Sequence, residues 1–124
     1  MKALILAAAF ALTAAPVMAE PVDLVCSGTF DWYGQDYGSA PLSGVHVVVH
    51  EQVVEVSGFK AYTGLYSIDR TKGDDAVIVF NSGLWNGSIN RFDGQLTLYK
   101  CSDMQCGRWQ HSASATCTKA EPLF

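Results

Sequence analysis

From Asp23 onward the chain alternates apolar and polar residues in short runs, and Gly, Asp or Asn breaks the alternation every eight to twelve residues. No apolar face recurs at helical spacing in this part of the chain. A period of two, interrupted at that interval, is the pattern of short antiparallel strands joined by tight turns. Asp23 to Phe30 places Leu24, Cys26, Gly28 and Phe30 on one face. Val45 to Val56 is rich in β-branched residues and predicts two strands around His50-Glu51-Gln52. In Tyr62 to Ile68 the residues Tyr62, Gly64, Tyr66 and Ile68 share a face, Thr71-Lys72-Gly73-Asp74 makes a turn, and Ala76 to Phe80 follows as a short strand.

Asn81-Ser82-Gly83 then reads as a loop, after which Trp85, Gly87, Ile89 and Arg91 fall on one side of a strand. Phe92-Asp93-Gly94 reverses the chain, because Asp-Gly supplies the positive φ of a tight hairpin. Gln95 to Lys100 turns Leu96 and Leu98 inward. In the last long run, Gly107 to Cys117, one side carries Trp109, His111, Ala113, Ala115 and Cys117, and the tail from Thr118 to Phe124 has no evident strand partner. The expected fold is all-β: an antiparallel meander of seven or eight short strands, forming a curved sheet or small up-and-down barrel. A sandwich is the rival arrangement; closure is preferred because it removes exposed edges.

Residues 1–19 follow another pattern. Lys2 precedes an apolar run from Ala3 to Leu12, and Val17-Met18-Ala19 ends in a small residue before charged sequence begins. This is the layout of a secretory signal peptide cleaved after Ala19. The run is shorter than the roughly 20 residues a membrane span needs, so no membrane span is expected. The expected domains are a signal peptide, 1–19, and a single all-β domain, 20–124. Removing Lys2 leaves seven Lys and Arg against twelve Asp and Glu, which moves the formal net charge from −4 to −5. An acidic chain without basic clusters is a poor partner for nucleic acid or an anionic membrane surface.

All four cysteines, Cys26, Cys101, Cys106 and Cys117, lie after the leader, and an even number in a small exported chain reads as a disulfide framework. Cys101 and Cys106 flank a four-residue loop between antiparallel strands, which brings them within bonding reach. Cys26 and Cys117 lie on the inward faces of the first and last strands, the two that a closed barrel pairs. The expected bridges are therefore Cys26 to Cys117 and Cys101 to Cys106.

Ile89-Asn90-Arg91-Phe92-Asp93-Gly94-Gln95-Leu96, followed by a strand and the late Cys117, resembles a hairpin signature, I-N-R-x-T-G-x-L, of small exported proteobacterial proteins of unknown function. Asp93 stands where Thr is usual, and the likeness covers the last third of the chain. The resemblance implies a bacterial periplasmic or secreted β domain and brings no activity with it. On that source, the acceptor pattern Asn86-Gly87-Ser88 is accidental.

Candidate chemistry is sparse. His46 and His50 share a strand face, but four residues at ~3.3 Å separate them by roughly 13 Å, too far for one metal ion. His111 sits on the apolar side of its strand. Asp69, Asp74 and Asp75 flank a turn whose spacing departs from a calcium-binding loop. No metal site and no cofactor are expected, and no nucleophile motif or phosphate loop occurs. Trp32, Tyr33 and Tyr37, set among Gly and Asp in an expected loop from Asp31 to Gly38, are the candidate ligand-binding residues, since aromatics beside polar groups make recognition surfaces. The sequence favours a non-enzymatic binding or interaction module of the cell envelope, with an envelope protein, a glycan or a small ligand as partner and inhibition of a hydrolase as one version. The alternatives are a small hydrolase whose site is assembled from distant residues, with His111 or His46 as base, and a subunit of an envelope complex docked through Phe124 and the tail.

Overall fold

The computed structural model describes residues 20–34 and 37–120. The expected leader, Gln35, Asp36 and residues 121–124 lie outside the described residues, so the expectation for Phe124 finds no answer here. Eight strands follow in order: β1 (Val22–Trp32), β2 (Gly38–Val49), β3 (Val53–Ser57), β4 (Gly64–Ile68), β5 (Val77–Ser82), β6 (Trp85–Asn90), β7 (Gln95–Cys101) and β8 (Trp109–Lys119). Each pairs antiparallel with the next, and β1 also pairs with β8, so the meander closes into a barrel. No helix among the described residues is long and apolar enough to cross a membrane.

The inward rows are those the alternation marks. Cys26, Val45, Val47, Val54, Val56, Tyr66, Phe80, Leu96 and Leu98 are buried in one core. The wall opposite the large residues is built small. Phe30 pairs with Ala113 and Gly28 with Ala115 across β1 and β8, while Gly87 lies under the Phe80 ring, where an added Cβ would stand 2.3 Å from a ring carbon. Alternating small and large residues let eight strands enclose a filled interior.

The β6–β7 hairpin forms as its residues dictate. The Asn90 side-chain oxygen accepts the N–H groups of Phe92 and Asp93, Asp93 accepts that of Gln95, and Gly94 turns the chain at φ 73°. A β-carbon at Gly94 would strike the Cys117 carbonyl oxygen, which fits glycine to this position twice over. Both disulfides form as expected. Cys26 and Cys117 are direct cross-strand partners with Cα atoms 4.0 Å apart, and Cys101 bonds Cys106 across the β7–β8 loop. No free cysteine is left among the described residues, a state that fits an oxidising compartment.

Several boundaries differ from the sequence reading: β4 begins at Gly64, leaving Tyr62 in the β3–β4 connection, and β8 begins at Trp109 rather than Gly107. β2 begins at Gly38, ahead of the β-branched run, because its first half pairs with β1 alone and so accommodates Pro41, which lacks an N–H to donate. The same pairings shorten the expected loop from Asp31 to Gly38, since Asp31 and Trp32 belong to β1. β5 continues through Asn81 and Ser82, paired with Asn86 and Trp85. β8 reaches Lys119, with Thr118 opposite Val25 and Lys119 opposite Leu24, so part of the tail has a partner.

Trp109 corrects a facing assignment. Cys101 pairs with Trp109 but Lys100 with His111, so Gln110 is the extra residue of a bulge. The alternation slips by one, and Trp109 lies outside, stacked on Tyr99 at 4.4 Å, while His111, Ala113, Ala115 and Cys117 keep the inward side.

Candidate functional site

The two ends of the barrel are built differently. At the end holding Trp32, Trp85 and Cys101, the β3–β4 connection folds Phe59 and Tyr62 across the interior. Phe30 meets Phe59 edge-on at 4.9 Å, Phe59 meets Tyr62 at 5.4 Å, and Tyr62 meets His111 at 5.1 Å. Polar atoms within this plug are satisfied. The Tyr62 hydroxyl lies 2.7 Å from His111 Nδ1, Tyr66 donates to the Tyr62 carbonyl, Trp85 Nε1 donates to the Ala61 carbonyl, and the Lys100 ammonium sits over the Trp85 ring at 4.5 Å. Burial holds the Tyr62 phenol far above its ordinary range and pushes Tyr66 up to about 12, so both stay neutral.

Burial, followed by the facing Lys100 charge, lowers the pKa of His111. An imidazole that resists protonation when folded takes up its proton more readily when unfolded, so stability is complete above about pH 6.5 and falls as the pH drops from there towards the lowered folded value. Replacing His111 by Gln is expected to flatten that acid limb in urea midpoints measured from pH 7.5 to 5. Unchanged curvature would contradict the neutral-histidine account.

At the other end nothing among the described residues crosses the mouth. The inward residues there are aliphatic, Leu24, Val49, Ile68, Ile78 and Ile89, with Cys117 beside them, and they wall an open cup of about 730 Å³. Three strands carry the inward alternation two residues past the last apolar side chain of their row. Ile68 is followed by Arg70, Ile89 by Arg91 and Cys117 by Lys119, and all three cations line the cup. Glu20 and Glu51 continue the inward rows of β1 and β2 on the other side, and His50 and Asp93 complete the polar rim. Arg70 reaches over the β2–β3 turn to donate to the Glu51 carbonyl at 2.6 Å.

The residues singled out in the sequence are distributed elsewhere. Trp32 points inward at the plugged end beside Phe30 and packs on Gly38. Tyr33 and Tyr37 lie on the outer wall with ring centres 6.0 Å apart, Tyr37 the more exposed at 71 %, and Tyr33 shares a hydrogen bond with Ser112. The three aromatics thus divide between the interior and the outer wall. His46 faces Asp23 at 3.4 Å and His50 faces Glu55 at 3.6 Å, each with its own carboxylate, and His50 lies in the β2–β3 turn. Asp69 caps Thr71 twice, which lowers its pKa, and Asp74 caps Ala76 and Val77, so these carboxylates hold turns. Among the described residues no three His, Cys, Asp or Glu side chains gather as metal ligands. Asn86 donates its amide to the Leu84 carbonyl and towards the Cys101 sulfur within β6.

The cup was missed in the sequence because its walls come from six separate strands. The one local signal was the alternation continuing into a cation, visible at Ile89 and Arg91.

Fold and site together define a small closed up-and-down β-barrel, bridged by disulfides, plugged by aromatics at one end and open as an aliphatic cup at the other. No family model, no curated protein and no solved structure matches this chain.

Proposed function

We propose that this chain is an exported, non-catalytic binding module of a bacterial cell envelope, and that it takes a small molecule with an apolar body into the open cup. The observation that carries the reading is the cup itself. A cavity of about 730 Å³ with aliphatic walls and a charged rim falls within the size range of small-molecule sites, which are mostly apolar with a few polar groups placed to orient the ligand. The two disulfides and the hairpin resemblance support export. Against His111 as a catalytic base, its one side-chain hydrogen-bond partner among the described residues is a neutral phenol, and none of their carboxylates orients it as a base would require.

Octan-1-ol is a suitable neutral probe, because its chain fits the cup and it stays monomeric in water. Burial of its chain drives binding at about 0.8 kcal/mol per methylene, opposed by the cost of association. Amide NMR titration is expected to show saturable shifts centred on Leu24, Val49, Ile68 and Ile78. Shifts centred instead on Tyr33 and Tyr37, or none that saturate, would reject the cup as the site.

A further inference from the structure

We infer that the ligand of the cup is an anionic amphiphile, an alkyl chain bearing a carboxylate or phosphate head. This rests on the cup being a binding site and adds the chemistry of its head group. The chain is acidic overall, with a formal net charge of −4 and eight Lys and Arg in all, yet Arg70, Arg91 and Lys119 converge on this one mouth. They arrive from β4, β6 and β8, each one inward step beyond an aliphatic or cysteine wall residue, so an alkyl chain seated against Ile68, Ile78 and Ile89 delivers its head to their level.

Arg70 donates to the Glu51 carbonyl, and none of the three cations is paired with a carboxylate of the described residues. The close cation–carboxylate contacts among the described residues are His46 with Asp23, His50 with Glu55 and Lys72 with Asp69, so no carboxylate of the described residues lies within 4 Å of Arg70, Arg91 or Lys119. The acids of the rim are placed apart or occupied. Glu20 and Glu51 stand on the β1 and β2 side, and the Asp93 carboxylate, the acid on the cationic side, accepts the Gln95 N–H. In the strand order of the barrel, Arg91 at the end of β6 stands across the mouth from Glu51 at the end of β2, while Arg70 and Lys119 flank it. A head group settles where its charge is matched by cations above a low-dielectric wall, an arrangement that guanidinium groups serve well for carboxylate and phosphate oxygens.

The test compares heads on one tail. Octanoate, octyl phosphate, octan-1-ol and octylammonium are titrated into the mature protein by isothermal calorimetry at low salt. Octanoate or octyl phosphate is expected to bind about tenfold more tightly than octan-1-ol, with octylammonium weakest, and the anion preference is expected to shrink as salt is raised, because exposed charges are screened. Comparing the two anions distinguishes a carboxylate from a phosphate source. The double variant R91E/K119E, checked for folding by circular dichroism, is expected to reverse the order of octanoate and octylammonium. If octan-1-ol binds and the anions bind no better, the head-group inference fails and the cup reading stands. If none of the four binds, the cup reading itself fails. Should the double variant not fold, the salt dependence in the unaltered protein decides the matter, and an anion advantage that survives high salt undiminished would overturn the role of the rim cations.

Discussion

Replacing Cys26 and Cys117 together by alanine is expected to lower unfolding free energy by about 4 to 5 kcal/mol, against about 2 for replacing Cys101 and Cys106, on the chain-entropy model. The difference comes from the loops that the bridges close. Cys26 and Cys117 are 91 residues apart and Cys101 and Cys106 only 5, so the first bridge restricts nearly the whole unfolded chain. It also joins β1 to β8, the pairing that converts a meander with two open edges into a barrel without any. Urea midpoints of the two double variants, measured with the other bridge intact, give the comparison. A Cys101/Cys106 variant that loses as much as the Cys26/Cys117 variant would show that loop length does not govern stability here. Non-native disulfides on refolding are also expected to be more frequent when Cys117 alone is replaced, because Cys26 is then left unpaired within reach of the other cysteines of the unfolded chain.

Phe80→Ala is expected to cost about 3 to 5 kcal/mol, the usual range for emptying a fully buried aromatic site. Phe80 is 0 % exposed and meets Tyr66 edge-on at 5.4 Å. Its ring also lies over Gly87 on the neighbouring strand, which makes the pair a test of packing. In most strands Gly→Ala is neutral or mildly favourable, because it removes unfolded-chain freedom worth about 0.4 to 1 kcal/mol. At position 87 overpacking is the larger effect, since the new methyl would stand 2.3 Å from Phe80 Cε2 and 2.8 Å from a Leu98 methyl. Gly87→Ala is therefore expected to destabilise by about 1 to 3 kcal/mol. In a Phe80→Leu background the same change should cost less, with a coupling of about 1 kcal/mol or more in the double-mutant cycle. Additive losses would mean that the ring and the glycine do not share their space as the structure indicates.

Much of this fold was legible because the strands alternate cleanly and the turns carry their own chemistry. Leu96 and Leu98 had to face inward once Asn90, Asp93 and Gly94 set the register of the β6–β7 hairpin. The inward faces of Cys26 and Cys117 were equally local facts, and the bridge between them follows once the first and last strands meet. The readings that failed lie where a neighbouring strand overrides the local pattern. Gly38 to Pro41 shows weak strand propensity and becomes strand because β1 offers an unpaired edge. Trp109 belongs to an alternating row, and one extra residue at Gln110 turns it out to solvent. Neither outcome is encoded within the segment concerned.

The sequence by itself determined most strands, the tight turns and most of the inward rows, because period-two alternation and positive-φ glycines act over a few residues and need no distant context, whereas the Cys26–Cys117 bridge also needed the closure that joins β1 to β8. Only the tertiary structure decided which end of the barrel is open. That depends on Phe59 and Tyr62, carried by one long connection, crossing the interior at the end where Phe30 and His111 already stand. It also decided that Arg70, Arg91 and Lys119, spread over 50 residues of chain, share one mouth with five aliphatic walls. Barrel closure sets that convergence, and closure is a property of all eight strands at once.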